Sequence, residues 1–566
     1  MAGSSKRKWL SDNDLCELVN RDISDNSESE YSDGSELNFS SENEGGENSE
    51  VDDNTAIVNE IQPGTWSMVG AERPPFPFSG QPGLNVQIHD PTNPLEFFEL
   101  FITPEICEHI SDETNRYAEQ FLEKNAPQLK DKSRVHQWKE TSGNEIMKLL
   151  AFLLLQGLHQ KPDNKSYFSR RKILETPIFL ELFTERRFHL LLKFLHFVNN
   201  DEYDEATCGS RRLFKLKPIL DHLNDRFRSV YTPDCDVSVD ESLMMWKGRL
   251  GWKVFIPSKR ARFGIKSFEL CEAKSGYVWN FLVYVGKETA FDESLKDEAY
   301  GSKVVLELTS PLLNQGYMVT MDNWFTSPDL FEKLCKNGTD AIGTLRQNRK
   351  GVPTEIKQAK LKKGEHMSAY KNKLMIMKWK DKKDICLMST THDERMVTNN
   401  VRGQDIKKPK VVVDYNSKMG GVDLSDAYLV SYRSTRKRMK KYYQKHFRHF
   451  IDICCLNSYL LYVKSGGKMK RMEFQLKLIE NMIQKYHKTQ ITSSGRPSKF
   501  APPTRMNAPH YPSFIPPTAS KQEPRRRCVV CYKNEQRRET RYNCEDCKVA
   551  LCAAPCFQRY HTVVDY

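Results

Sequence analysis

Six of the fifteen cysteines crowd into the last 39 residues, and no other feature limits the possible folds so tightly. Their spacing is Cys528-x2-Cys531-x12-Cys544-x2-Cys547-x4-Cys552-x3-Cys556-x4-His561. Two CxxC pairs with further Cys and His ligands fit Zn²⁺, and tetrahedral sites would hold this short segment together. The other nine cysteines are scattered from Cys16 to Cys455, and the start carries Lys6-Arg7-Lys8 without an apolar h-region. That combination favours metal over disulfides and argues against secretion. An interleaved two-zinc module needs eight ligands and seven are in view, leaving a non-Cys residue or water for the eighth.

The remaining chain is too long for one hydrophobic core, since 566 residues suggest about three or four domains. The longest mostly apolar run, Ile146 to Leu158, is interrupted by Lys148 and falls short of the ~20 residues that a spanning helix needs. A membrane protein is therefore not expected. The net charge of +12 hides an asymmetry. Residues 1–60 hold 16 Asp/Glu against Lys6, Arg7, Lys8 and Arg21, a net of 4 − 16 = −12, so the other 506 residues carry +24. A basic body of that kind reads as a binder of polyanions, nucleic acid first.

The chain divides by composition. Residues 1–90 read as a disordered acidic tail, a solubilising segment or an arm that competes with DNA, ending in Arg73-Pro74-Pro75-Phe76-Pro77. Residues 91–233 repeat apolar positions at helical spacing. From Asp234 the pattern becomes strand-strand-strand-helix-strand-helix-strand to Leu345, a mixed α/β layer fold. Residues 346–408 read as an inserted β-rich unit, residues 409–428 as the return of the α/β domain, and residues 429–490 as helical again. Eight prolines in 495–524 mark 491–527 as a linker, and 528–566 is the zinc module.

Three acidic positions stand out by context. Asp240 follows Val237-Ser238-Val239 in a strand pattern, Asp322 ends Tyr317-Met318-Val319-Thr320-Met321, and Asp423 with Asp426 follows Gly420-Gly421 at a helix start. An unpartnered buried Asp is costly, so such a set invites a shared cation. Hard oxygen ligands suit Mg²⁺ or Mn²⁺, and two ions about 4 Å apart can drive phosphoryl transfer. Singly, each Asp has a bland structural reading, such as a turn cap or a first-turn helix residue.

The runs Ser238-Val239-Asp240-Glu241-Ser242-Leu243, Ile256 to Lys266, Met321-Asp322-Asn323 and Asp414-Tyr415-Asn416…Met419-Gly420-Gly421-Val422-Asp423…Asp426 resemble the piggyBac transposase family. So does the ending Arg538 to Tyr542, followed by paired cysteines and Tyr560-His561. The resemblance implies an RNase H-like catalytic domain with Asp240, Asp322 and Asp423 as its carboxylates and Asp426 as a fourth acidic residue at the metal site. It implies a split all-helical domain for dimerisation and DNA binding around that catalytic domain, and a cross-brace zinc module. It also implies a dimeric enzyme that cuts double-stranded DNA at transposon ends and reinserts it at TTAA, in the nucleus.

Two basic segments fit that substrate. Between Arg433 and Arg448, eight of 16 residues are Lys or Arg, with Tyr442, Tyr443 and Phe447 interleaved. Read as a helix, this stretch would set Arg436, Lys437, Arg438, Lys440 and Lys441 on phosphates and Tyr442 on unpaired bases. A second patch includes Lys259, Arg260 and Arg262, just after the first Asp. The competing function class is a host-adopted DNA or chromatin binder that no longer transposes.

Overall fold

The computed structural model describes residues 65–563, leaving out 71–72, 132, 205–209, 258, 260–261, 402–403, 436–438, 488–509 and 519–520. The chain forms two compact units, Met1–Lys488 and Thr489–Tyr566.

The first unit opens with helices α1 (Pro94–Glu99), α2 (Pro104–Asn125), α3 (Gly143–Leu158), α4 (Glu185–Phe194) and α5 (Lys217–Val230). Four of them start at a polar cap: Asn93, Thr103, Ser142 and Thr184 accept from the backbone N–H of Leu95, Ile106, Glu145 and Arg187. Helix α3 is buried almost throughout from Ile146 to Gly157, which explains its unbroken apolar run. Among the described residues no helix is long and apolar enough to cross a membrane.

The strands that follow are β1 (Asp236–Met245), β2 (Val254–Phe255), β3 (Phe263–Glu272), β4 (Val278–Val283), β5 (Met318–Met321), β6 (Asp340–Thr344), β7 (His366–Lys371), β8 (Leu374–Lys380) and β9 (Asp384–Ser389). They form one sheet in the order β2-β3-β1-β5-β6-β9-β8-β7, with β4 also paired to β3. Strand β1 runs parallel to β5, which runs parallel to β6, while β3 lies antiparallel to β1. Helices α6 (Tyr300–Thr309) and α7 (Pro328–Lys336) make the crossovers that parallel pairing requires.

Strands β7–β9 lie in the segment 346–408 expected as an inserted β-rich unit, and they are continuous with the central sheet. Leu387, Met388 and Ser389 pair with Thr344, Gly343 and Ile342, so these strands extend the central sheet. What does stand apart is the two-stranded ribbon β10 (Met396–Val401) and β11 (Gln404–Pro409).

Helices α8 (Lys410–Lys418) and α9 (Gly421–Ser431) return to the sheet, and α9 packs on β1 and β3. A Cβ at Gly421 would come 2.4 Å from Ser238 Oγ and 3.0 Å from Glu272 O, so only glycine lets this helix start so close. Helices α10 (Tyr442–Lys464) and α11 (Arg471–Tyr486) then rejoin the opening helices. Ser458 Oγ donates to Phe97 O at 3.3 Å, and Asn481 Nδ2 donates to Asn93 Oδ1 at 2.7 Å. One apolar core runs without a break from Leu95 to Met482 through helices and sheet alike. The divisions at 233/234 and 428/429 therefore separate secondary-structure types, not cores.

Two more boundaries move. Residues 65–90, assigned above to the acidic tail, are tied to the sheet. Ser67 pairs with Tyr370, Phe76 N–H donates to Asp340 Oδ2 at 2.7 Å, and Phe78 packs edge-on against Tyr317 at 4.9 Å. Their composition hides this because prolines remove donors while still permitting an extended strap. Residues 1–64 lie outside the described residues. In the second unit, Pro512–Phe514 pairs with Tyr542–Cys544, so the end of the expected 491–527 linker belongs to the zinc module.

Candidate active site and zinc centres

Strand geometry brings the first two carboxylates together. The β1–β5 register ends at Val239↔Met321. One residue further, Asp240, midway along β1, and Asp322, just past the carboxyl end of the parallel strand β5, stand side by side, about 5 Å apart between backbones. Their orientation is fixed from the main chain: Glu241 N–H donates to Asp240 Oδ1 and Trp324 N–H to Asp322 Oδ1, both at 2.8 Å.

Helix α9 supplies the other two. Ser242 Oγ on β1 donates to Asp426 Oδ1 at 2.6 Å, while Asp423, one turn earlier, keeps 69% of its side chain exposed. Lys259 joins them from the connection between β2 and β3. Its Nζ lies 3.6 Å from Asp423 Oδ1 and donates to Glu241 O at 3.2 Å. Burial works against its charge, but Asp240, Asp423, Glu241 and Asp426 outweigh that and hold the ammonium above the usual lysine range.

The electrostatics are those of crowded, unneutralised carboxylates. Burial first, then the charges of Glu241 and Asp322, push Asp240 well above the ordinary carboxylate range. Burial and Glu241 push Asp322 up to about 6. Asp426 is raised by burial against the opposing bond from Ser242. Burial, and behind it the charges of Asp322, Asp240 and Asp423 together, raise the phenol of Tyr415 on α8. That phenol therefore lies within electrostatic reach of all three.

Sequence reasoning missed Glu269. It sits directly opposite Asp240 across the β1–β3 pair, is fully buried, and accepts from Ser267 Oγ at 3.1 Å. Burial, with the charge of Asp426 beside it, pushes it up to about 8. An acid on the inward side of Ile265-Lys266-Ser267-Phe268-Glu269-Leu270-Cys271 was the available signal.

The donor set suits hard divalent cations, and a cation here would relieve the repulsion that raises these acids. The site is open rather than closed. Among the described residues, the metal-type groups whose ligand atoms all lie within 4.8 Å of one another are two Cys/His clusters, not the carboxylates.

Those clusters are Cys528, Cys531, Cys552 and Cys556, and His510, Cys544, Cys547 and His561. All seven residues singled out by their spacing lie in these clusters, and His510 brings the set to eight. It was hidden because it lies 18 residues before Cys528, among prolines. The two sets alternate along the chain, which is the cross-brace pattern. Cys531 Sγ lies 3.5 Å from Cys556 Sγ and 3.9 Å from Cys552 Sγ. A tetrahedron with Zn–S bonds of ~2.3 Å has edges of about 3.8 Å, so the ligands fit zinc. His510 Nδ1 lies 3.3 Å from Cys544 Sγ, and His561 Nε2 lies 3.5 Å from Cys547 Sγ. The 2.8 Å contact of His561 Nδ1 with Phe557 O places its proton there and turns Nε2 toward the cluster.

The expected basic helix is corrected. Helix α10 begins only at Tyr442, and Tyr443, Phe447 and Phe450 bury one stripe of it in the core. Tyr442 donates its hydroxyl to Arg212 O at 2.7 Å and packs edge-on against Trp252 at 5.7 Å, so its ring is used inside the protein. Lys441 Nζ donates to Lys193 O at 2.6 Å, and burial, then Lys215 and Lys193, lower it to about 8. Lys440 is exposed. Arg436, Lys437, Arg438 and Arg260 lie outside the described residues. Arg262 is exposed, with a left-handed φ of 47° in the turn before β3.

The comparisons agree with this architecture. Residues 93–459 match the DDE-type family model described as "Transposase IS4", and residues 513–562 match the "DDE_Tnp_1-like zinc finger". Within that class the chain belongs to the piggyBac transposase family. It is similar to human PiggyBac transposable element-derived protein 3, with 27% identity over 83% of this chain and 76% of that protein. To human PiggyBac transposable element-derived protein 2 the identity is 24% over the same shares. The fold is that of the piggyBac transposase solved by cryo-EM in a synaptic complex with hairpin DNA, with a TM-score of 0.65, 23% identity, and coverage of 84% of this chain and 98% of that one.

Proposed function

We propose that this chain is a metal-dependent DNA transposase that cleaves and rejoins strands at transposon ends, inserting at TTAA, as a dimer in the nucleus. The observation that carries this reading is the placement of Asp240, midway along β1, beside Asp322 at the end of the parallel strand β5, with Asp423 and Asp426 above them. Support for an RNase H-like catalytic layer comes from the strand order β4-β3-β1-β5-β6, with β3 antiparallel and the rest of the central strands parallel. Asp240, Asp322 and one or both α9 carboxylates would hold Mg²⁺ or Mn²⁺. Bound there, such ions activate the attacking hydroxyl and stabilise the leaving oxygen. The backbone N–H groups of Glu241 and Trp324 keep each carboxylate aimed, and Ser242 holds Asp426 against the sheet. Lys259, now among the carboxylates, is placed to take a DNA phosphate once their charge is neutralised.

The names of the human relatives favour a second reading, an element-derived DNA binder that no longer cuts. One assay separates the two. On a duplex carrying the cognate end beside TTAA, with Mg²⁺, Asp322→Asn should lower nicking by at least about three orders of magnitude while binding persists. Asp329→Asn, at the start of α7, should nick normally. Near-normal nicking by Asp322→Asn removes the carboxylate assignment; a wild type that binds ends and never nicks establishes the second reading.

A further inference from the structure

The hairpin that delivers Lys259 to the carboxylates carries a feature that folding does not explain. Phe255 on β2 and Phe263 on β3 are directly paired across the strands, with ring centroids 4.5 Å apart. Yet they remain 54% and 42% exposed. Strand β2 is the edge of the sheet, where an uncovered aromatic pair is a liability unless something occupies it. The residues around it are cationic. Lys253 Nζ lies 5.2 Å above the Phe263 ring, Lys247 and Arg249 are exposed on the connection before β2, and Arg262 is exposed on the one after it. A neutral apolar partner would meet that collar poorly, whereas an aromatic base on a phosphate backbone satisfies both parts.

Side-chain alternation sets the position. Along β3, Phe263, Ile265, Ser267 and Glu269 share one face, and Asp240 lies opposite Glu269 on that face. The aromatic pair and the carboxylates thus look the same way, six residues or about 20 Å apart along the strand. That distance equals about six base steps of a duplex.

Resting on the DNA-cleaving reading above, we propose that the Phe255–Phe263 pair is a stacking platform for an unpaired nucleobase of the bound DNA. It positions the strand a few nucleotides from the scissile phosphate, with Lys253 and Arg262 on the flanking phosphates. Its role is positioning and takes no part in bond chemistry.

The test uses the full chain and two 2-aminopurine-labelled probes of one sequence, a blunt duplex and the same duplex with a three-nucleotide single-stranded overhang. The wild type should quench 2-aminopurine in the overhang and prefer that probe. A Phe255→Ala/Phe263→Ala double variant should lose the quenching and about tenfold of overhang affinity, with blunt-duplex affinity changed less than twofold. Phe255→Tyr/Phe263→Tyr should restore both, because a ring is what the base needs. Equal quenching by the alanine variant, or equal loss on both probes, overturns the proposal. Nicking on the cognate end reports separately on the cleavage reading: quenching that depends on the pair in a protein that never nicks leaves the platform standing and removes the enzyme.

Discussion

In the zinc module, sulfurs and ring nitrogens already lie 3.3–3.9 Å apart, at the edge lengths of a zinc tetrahedron. Around the middle of β1 and the end of β5, four carboxylates and Glu269 crowd together, yet no three of them close to that degree. Asp240 and Asp322 are raised by burial and by neighbouring acids, and Lys259 and Arg346 are positive charges that oppose the shift. The difference is the one expected if the first site is structural and the second is the proposed catalytic site. A structural zinc site replaces a core, so its ligands converge completely and contribute folding energy. A catalytic site must admit a phosphate and part of its metals' coordination sphere, so it stays open and electrostatically strained.

The sharpest way to break this contrast is to remove His510. Histidine 510→Ala should lower bound zinc from two per chain to about one, read by elemental analysis. The segment from residue 510 to 562 should lose ordered structure, since a structural zinc site contributes on the order of 10 kcal/mol. Melting of the unit Met1–Lys488 should not change, because its core from Leu95 to Met482 contains none of these ligands. Retention of both zincs would leave seven ligands and a water.

The two sites also differ in how far they could be read from sequence. Cysteine spacing is local and chemically specific, so seven ligands were legible; His510 was not, because a histidine among prolines has no local pattern to betray it. Asp240 and Asp322 were legible as acids in strand contexts, and their register explains why that context mattered. Glu269 was not, since its significance arises only when β3 pairs with β1 and sets it opposite Asp240. The reading of 433–448 as one continuous basic helix departs from the structure for the opposite reason. Charge density suggested a phosphate-facing helix across the whole stretch, but the helix begins only at Tyr442, and Tyr443, Phe447 and Phe450 are buried in the core. Tertiary packing overrode composition there, as it did for the strap at 65–90, whereas β8 and β9 fall where their residues read as strands and only their pairing with β6 was not legible.

Glu269 gives a smaller effect that is specific to the open site. Its folded-state pKa is raised from an ordinary 4.5 to about 8, and that of Asp322 from 3.8 to about 6. The folded state therefore binds these protons more tightly than the unfolded chain. Stability from Asp322 is present below about pH 4 and lost by about pH 6; that from Glu269 is lost between about pH 4.5 and pH 8. Glu269→Gln mimics the protonated acid, so it should melt like the wild type near pH 5 and on the order of 5 °C higher near pH 8.5, both metal-free. A difference that does not grow with pH would show that Glu269 is ionised in the fold.

The smallest effect tests whether the strain at the carboxylates is relieved by a cation. If Asp240, Asp322 and the α9 acids hold Mg²⁺, the ion binds the folded state alone and stabilises it by mass action. At ten times its dissociation constant that amounts to about 1.4 kcal/mol, or about 1–3 °C in a unit of this size. The shift should grow from pH 6 to pH 8, because protons compete for the raised carboxylates Asp240 and Asp322 at the lower pH. Asp322→Asn should abolish most of it. The zinc module serves as the internal control, since thiolate and imidazole ligands have little affinity for a hard ion that prefers oxygen. A Mg²⁺ shift of equal size in Asp322→Asn would mean that the ion acts elsewhere on the chain. No shift at any pH in the wild type would mean that DNA phosphate must complete the site before the ion binds, a wider opening than the one described for the carboxylates here.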